Sequence, residues 1–513
     1  MRAASTIPPA NIPPEVKEVA QALEKAGYEA YLVGGCVRDL LLGKEPKDWD
    51  ITTNATPEKI QRLFPHTYYN NEFGTVGVVT ESGNPATEVV EVTPYRTEGT
   101  YADFRRPLEV SFTDSLEEDL ARRDFTINAM AYSISRENLI DTFGGLEDLR
   151  REIIRAVGDP NQRFSEDALR MLRAIRLAAE LNLAIEGETL TAIAQNAPLL
   201  EHISRERIRD EFIRIIASPS PAVGMVLLRQ TGLMRYVLPE LEETYDVGQN
   251  RSHIYDVFEH LVRSVQHAAD RNFSLAVRLA ALLHDIGKPA TKAYDPALGD
   301  HTFYNHEVVG AAIAKRALDR LKFPHDLRDK VVALVRWHMF FSDPEKITLS
   351  AVRRIIQRVG KENIWDLLHL RMCDRIGSGK PKEQPFRLRK YTAMVEQALR
   401  DPISVSMLAI NGTNLMEHFH VKSGPAIGWV LHALLEEILE DPSKNNREYL
   451  LARAQELLTL PEEELRQIGE KGKKNQRRGR RGRHKGDFEK IRRGVASTSK
   501  RKPKRNRDGL ECR

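Results

Sequence analysis

The chain has 513 residues, of which 41% are hydrophobic and 29% charged, a balance that fits several folded domains and excludes wholesale disorder. It holds no run of about 18 apolar residues and no apolar leader, so neither a membrane span nor a signal peptide is expected. Cys36, Cys373 and Cys512 are far apart and form no CxxC, which excludes a disulfide framework or zinc ribbon and points to the cytoplasm.

After a Pro-rich lead, residues 14–26 place Val16, Val19 and Leu23 at helical spacing, and Gly27 stops the helix. YEAYLVGG predicts a strand entering a Gly-Gly turn, VRDLLLG a short helix, and DWDITTN an alternating strand. Further strands are expected at 77–80, 88–93 and 138–141, so strands crowd into the first 145 residues. From about residue 161 the pattern is helical, with amphipathic stretches over 166–181, 207–216 and 275–284. The fold class is therefore α+β: a small mixed sheet with helices, followed by all-α domains.

The net charge of +4 conceals an asymmetry: residues 471–513 carry 19 Lys and Arg against 4 Asp and Glu, and residues 1–470 carry 58 against 69. Such a tail cannot bury a core and is expected to be disordered. Its functional reading is RNA-backbone binding through Lys471, Lys473, Lys474, Arg477, Arg478, Arg480 and Arg481; the other reading is a solubilising tail.

Chemistry first concentrates at Gly34-Gly35-Cys36-Val37-Arg38-Asp39, followed by Asp48-Trp49-Asp50. Two glycines between strand and helix allow close backbone approach to phosphate, and the Arg38 fork can reach the same group. Asp48 and Asp50, two apart on a strand, share a face, and paired carboxylates suit Mg²⁺. Two such ions would activate an attacking hydroxyl and a leaving pyrophosphate. Glu91, in VVEV, is either a third carboxylate or the solvated face of an edge strand.

Arg123, Asp124 and Asn128 in RRDFTINA are candidates for ribose and triphosphate contacts; the same segment also reads as a helix start capped by Asp124 or Thr126. Asp167, Arg170 and Arg173 recur at i, i+3 and i+6 in EDALRMLR, which places them on one helix face. One account is an intrahelical ion pair. The other is base recognition: a carboxylate accepts from an exocyclic amine while a guanidinium donates to the adjacent ring acceptor. Cytosine and adenine satisfy that pair, whereas uracil and guanine do not.

In that order, GGxVRDxLLG…DxD, RRDFTxNA, the DTFGG segment, EDxxR and the ISRERIRDEF helix resemble a bacterial class II tRNA nucleotidyltransferase, the family of CCA-adding enzymes and poly(A) polymerases. The resemblance covers about residues 28–240 and implies a polymerase-β-like head and a helical neck. It implies metal binding by Asp48 and Asp50, nucleotide binding by Gly35, Arg38 and Arg123, and base reading by Asp167 and Arg170, supported by Arg173 and Arg176. The implied substrates are the tRNA 3′ end, CTP and ATP. The segment 93–107 carries Arg96-Thr97-Glu98, similar to the basic–x–acidic triplet of a loop that CC-adding members lack. This argues against CC-only addition and leaves CCA addition, A addition and poly(A) synthesis open.

A second signature is His284-Asp285 in LLHDIGK, flanked by His260, His306, His338 and Asp374. Imidazole with carboxylate favours a divalent transition metal. The set resembles an HD-superfamily phosphohydrolase. That resemblance implies that His260, His284, Asp285 and Asp374 hold a metal and that His306 and His338 bind a second metal or phosphate. Its substrates would be phosphomonoesters or 2′,3′-cyclic phosphates. A chain acting chiefly through this site, or an RNA-binding protein with both sites decayed, are the readings from other classes. The expected domains are a head at 14–155, a neck at 156–245, an HD domain at 246–380, a helical region at 381–470 and the tail.

Overall fold

The strand-rich first 145 residues build a seven-stranded mixed sheet. Its order is Asn138–Ile140, Ala131–Ser133, Tyr31–Val33, Trp49–Thr53, Val89–Pro94, Thr75–Val79 and Thr67–Asn70. These coordinates are a computed structural model, which describes residue 4 and residues 6–70, 74–98, 101–102, 106–107, 110–249, 254–340 and 345–480, with residues 70, 98, 101, 102, 106, 107, 110 and 472–480 by their backbone. Neighbouring strands are antiparallel except Trp49–Thr53 with Val89–Pro94, which run parallel and set Asp50 opposite Glu91. Trp49 and Ile51 are buried on one face, so the period of two turns Asp50 to the other. The strand begins at Trp49, and Asp48 lies in the bend ahead of it rather than on the strand as expected.

The helix expected over 166–181 is interrupted. Pro160–Glu166 and Leu169–Leu181 are separate helices, and Asp167 between them is extended, with φ −134° and ψ 104°. Its Oδ1 accepts from Leu169 N at 3.1 Å, so the carboxylate caps the second helix instead of standing on its face. Leu169–Leu181 packs on Arg205–Ala217 and Pro221–Gln230. Gly224 lets Pro221–Gln230 approach Arg205–Ala217 closely, because a Cβ there would stand 2.3 Å from Ile215 Cγ2.

Helices Val257–Asp270, Leu275–Leu283, His306–Arg320 and His325–Trp337 follow. Arg278 joins them to the neck by donating to the carbonyls of Ile216, Ala217 and Ser218, groups a helix C-terminus leaves unpaired. A Cβ on Gly287 would sit 2.3 Å from His306 O, which explains the glycine of HDIGK.

The chain divides into two compact units, residues 1–338 with 369–383, and 339–368 with 384–513. The span expected as one HD domain is thus split. Leu349–Val359 buries Val352, Ile356 and Val359 and packs on Phe386–Ala398 and Pro425–Glu440, so its apolar face is covered within the second unit. The last helix, Glu462–Arg480, runs through 471–480, where disorder was expected. Glu462, Glu463 and Glu464 at its start complement the helix dipole. Arg481 and the remaining tail lie outside the described residues, as do the side chains of Lys473, Lys474, Arg477, Arg478 and Arg480. Among the described residues no helix is long and apolar enough to cross a membrane.

Candidate functional site

A cleft of about 1010 Å³ opens where the head sheet meets the neck helices. Gly34, Gly35, Arg38, Asp48, Asp50, Arg123, Asp124, Asn128, Asp167, Arg170, Arg173 and Arg176 all line it, whereas Glu91 does not. Gly34 adopts φ +80°, and a Cβ there would lie 3.2 Å from Arg123 Nη1 and 3.7 Å from Asp50 Oδ2. The turn therefore brings bare backbone against both groups.

Burial pushes the Asp50 carboxyl up to about 6; Glu91 and Asp48 add to the rise, and Arg123 opposes it. Carboxylates crowded this way lack a compensating charge that a hard divalent cation supplies, so the donor set fits Mg²⁺. Arg123 Nη2 lies 3.3 Å from Asp119 Oδ2, and its Nε is buried without a hydrogen-bond partner among the described residues. Asp119 is fully buried between Arg122, Arg123 and Thr52. Burial would raise its carboxyl, but the two guanidinium groups hold it below the ordinary value.

Arg38 Nη1 donates to Asn128 Oδ1 at 2.6 Å, and Nη2 to Asp39 Oδ1 at 2.8 Å. Asn128 Nδ2 in turn donates to Asp124 Oδ1 at 3.2 Å, and Arg173 Nη1 stands 3.5 Å from Asp124 Oδ2. Burial would raise Asp124, yet Arg173, Arg170 and the Asn128 bond keep it low and charged. Neither Asp124 nor Thr126 caps a helix. The short turn Thr126–Asn128 starts from Phe125, and Thr126 Oγ1 donates to Asp148 Oδ2 at 2.7 Å.

Asp167 and Arg170 do not pair with each other. Arg170 Nη1 donates to Glu166 Oε2 at 2.5 Å and to Arg163 O, and Nη2 to Arg122 O. Asp167 is held by Arg207, with Nη2 to Oδ2 at 3.0 Å and Nη1 to Oδ1 at 3.5 Å. The expected intrahelical ion pair is therefore absent, and each member is positioned by a different neighbour. Arg176 Nε lies 3.1 Å from Glu211 Oε2. Glu166, Arg207, Glu211 and Asp119 escaped sequence reasoning; the contacts of Arg207 and Glu211 cross between elements, whereas Asp119 meets Arg122 and Arg123 at i, i+3 and i, i+4. The signal for Glu166 was its i, i+4 spacing to Arg170.

The second site is buried. His260 and His284 meet at 2.9 Å between Nε2 atoms, and His306 and His338 at 3.3 Å. Asp285 lies between the pairs: Oδ2 is 3.2 Å from His260 Nε2 and 3.4 Å from His284 Nε2, while Oδ1 is 3.2 Å from His306 Nε2 and 3.5 Å from His338 Nε2. Asp374 Oδ1 stands 3.6 Å from His260 Nε2, so all six expected residues converge. The Nδ1 atoms of His284, His306 and His338 donate to the carbonyls of Ala281, Phe303 and Val335, which turns each Nε2 lone pair inward.

His260, His284 and Asp285 form one ligand triad, and Asp285, His306 and His338 a second. This imidazole-rich donor set fits divalent transition metals. Burial would raise the Asp285 carboxyl, but Lys288, at 2.6 Å, and His284 hold it well below the carboxylate range. Lys288 was not singled out by the sequence.

Three families match the chain: Poly A polymerase head domain over residues 30–155, "Probable RNA and SrmB- binding site of polymerase A" over 182–244, and HD domain over 253–370. A CCA-adding enzyme of Limosilactobacillus reuteri is 49% identical over 227 residues, which are 44% of this chain and 55% of that protein. The match thus spans about half the length of that relative. A CCA-adding enzyme of Lactiplantibacillus plantarum is 33% identical over 85% of this chain and 94% of its own. The crystal structure of a Bacillus stearothermophilus CCA-adding enzyme in complex with CTP is similar at a TM-score of 0.66, with 30% identity over 87% of this chain and 98% of that one.

Proposed function

The chain belongs to the family of CCA-adding enzymes, and from that premise we propose that it adds C, C and A to the 3′ end of tRNA from CTP and ATP without a nucleic-acid template. One observation carries the reading: Asp167 and Arg170 line the same cleft as Asp48, Asp50, Arg38 and Arg123. Base-reading and phosphate-handling groups thus address one bound nucleotide. The crystallised relative with CTP supports the assignment of that nucleotide.

The tRNA 3′-hydroxyl attacks the α-phosphorus; its O–P bond forms as the bond to pyrophosphate breaks, and the hydroxyl proton is lost to solvent. Asp48 and Asp50, with Glu91 beside them, would hold Mg²⁺ ions, which supply charge neutralisation at the attacking and leaving oxygens. Arg38 and Arg123 bind the triphosphate, and the Asn128–Asp124–Arg173 chain orients the ribose. Asp167 accepts from the exocyclic amine of C or A, and Arg170 donates to the ring acceptor. Labelled single nucleotides offered to tRNA trimmed of its 3′ end test the reading. CTP should extend by two residues, and ATP by one only afterwards. ATP addition to tRNA already ending in CC, with no CTP use, indicates A addition; repeated ATP addition indicates a poly(A) polymerase.

The shared Asp285 favours a second reading beside the first: a metal-dependent phosphohydrolase at the histidine–aspartate centre. The six ligand residues would hold a transition metal that activates water for attack on a phosphoester. Lys288 and Arg371, which bond Asp285 and Asp374, orient those carboxylates. Hydrolysis of p-nitrophenyl phosphate with Mn²⁺ or Ni²⁺ tests it.

A further inference from the structure

One buried charge in the head has no part in the chemistry of either centre. Asp119 lies on the short helix Leu116–Ala121 and is fully buried. A carboxylate taken out of water needs compensating charge, and two guanidinium groups supply it. Arg122 donates twice to Oδ1, from Nε at 2.9 Å and Nη2 at 2.7 Å, and Arg123 donates from Nη2 to Oδ2 at 3.3 Å. Thr52 Oγ1 completes the set by donating to Oδ2 at 3.2 Å. Thr52 follows Asp50 by two residues on Trp49–Thr53, so the strand that carries Asp50 to the cleft also anchors Asp119.

Arg123 is the member of this cluster with a choice of partner. Its Nη1 and Asp50 Oδ2 both lie within 4 Å of the place a Cβ on Gly34 would take, so Asp50 and Asp119 are rivals for one guanidinium. The Arg123 Nε is buried without a hydrogen-bond partner among the described residues, which leaves Asp119 as the group that fixes the fork. An arginine drawn across to Asp50 would neutralise a carboxylate that a metal needs and would leave the triphosphate unheld.

We propose that Asp119 is a positioning residue for nucleotide addition, holding the Arg123 guanidinium away from Asp50 and on the triphosphate of the incoming CTP or ATP. The proposal rests on the nucleotidyl-transfer reading and assigns a role to a residue that reading leaves idle. Charge alone and positioning predict opposite results. Removing a negative charge beside the cleft would by itself tighten the binding of an anion. Losing the hold on Arg123 weakens it.

The test uses the full chain with Mg²⁺ present and tRNA absent, and measures how tripolyphosphate and cytidine each displace labelled CTP. In Asp119→Asn, which keeps the side-chain volume, the tripolyphosphate Ki should weaken about tenfold and the cytidine Ki stay within about twofold. In an Arg123→Ala background the same substitution should change neither Ki. Thr52→Val removes only the hydroxyl that anchors Asp119 and should weaken tripolyphosphate about threefold; it decides the matter if Asp119→Asn fails to fold. A tripolyphosphate Ki that is unchanged or tighter, equal weakening of tripolyphosphate and cytidine, or a full effect without Arg123 overturns the proposal. If the wild-type chain binds no CTP, the nucleotidyl-transfer reading fails, and the positioning role with it.

Discussion

Asp50 in the cleft and Asp285 in the histidine–aspartate centre are both half or fully enclosed carboxylates suited to a metal, yet their surroundings act in opposite directions. Burial, Glu91 and Asp48 push Asp50 up to about 6, with Arg123 opposing. Against its deeper burial, Asp285 is held well below the carboxylate range by Lys288 and His284. The centre is therefore charge-balanced from within, by Lys288 on Asp285 and Arg371 on Asp374. The cleft is not. Its carboxylates share the lining with eleven Arg and Lys side chains, and in the proposed reading a metal–nucleotide complex would bind between them.

The largest expected effect separates the two sites completely. Asp50→Ala should lower nucleotide addition by about a thousandfold or more while leaving p-nitrophenyl phosphate hydrolysis within about twofold. His284→Ala should do the reverse, measured as labelled CMP incorporation beside phosphate release. Parallel loss of both activities in either variant would break the comparison. Metal removal sharpens it. After chelation, Mg²⁺ should restore nucleotide addition, whereas hydrolysis should recover at least about tenfold better with Mn²⁺ or Ni²⁺ than with Mg²⁺.

Smaller effects test the supports. Deleting residues 471–513 should weaken tRNA affinity by about tenfold at moderate salt and flatten the slope of log affinity against log salt, with nucleotide choice unchanged. An unchanged slope leaves the tail as a solubility device. Arg207→Ala frees Asp167 from its partner and should reduce discrimination between CTP and UTP by about fivefold, read from competing single incorporations.

The strand segments of the head and the Gly-Gly turn were legible because local patterns encode them, and the six histidine and aspartate residues because the HD motif resembles a known family. The alternation in DWDITTN and VVEV marks the strands that bear Asp50 and Glu91, whereas their parallel pairing and the close approach at Gly287 came only with the structure. Less legible were features decided by distant partners. The helix break at Asp167 overrode a continuous apolar period, although an aspartate two residues before Leu169 is itself a capping signal. Arg207 reaches Asp167 from a helix forty residues later, and no local spacing announces that contact. The split after His338 likewise depends on which unit covers Val352 and Ile356.

Base selection by side chains alone is the central claim, and Asp167→Asn addresses it most directly. The asparagine can donate where the carboxylate could only accept, so the O4 carbonyl of uracil gains a partner while the exocyclic amine of cytosine loses its charged acceptor. Rates of single incorporation of CMP, AMP, UMP and GMP onto trimmed tRNA should show CMP and AMP falling and UMP rising relative to them by about ten- to hundredfold. Full discrimination against UTP in the variant would contradict the account and return Asp167 to the role of a helix cap held by Arg207.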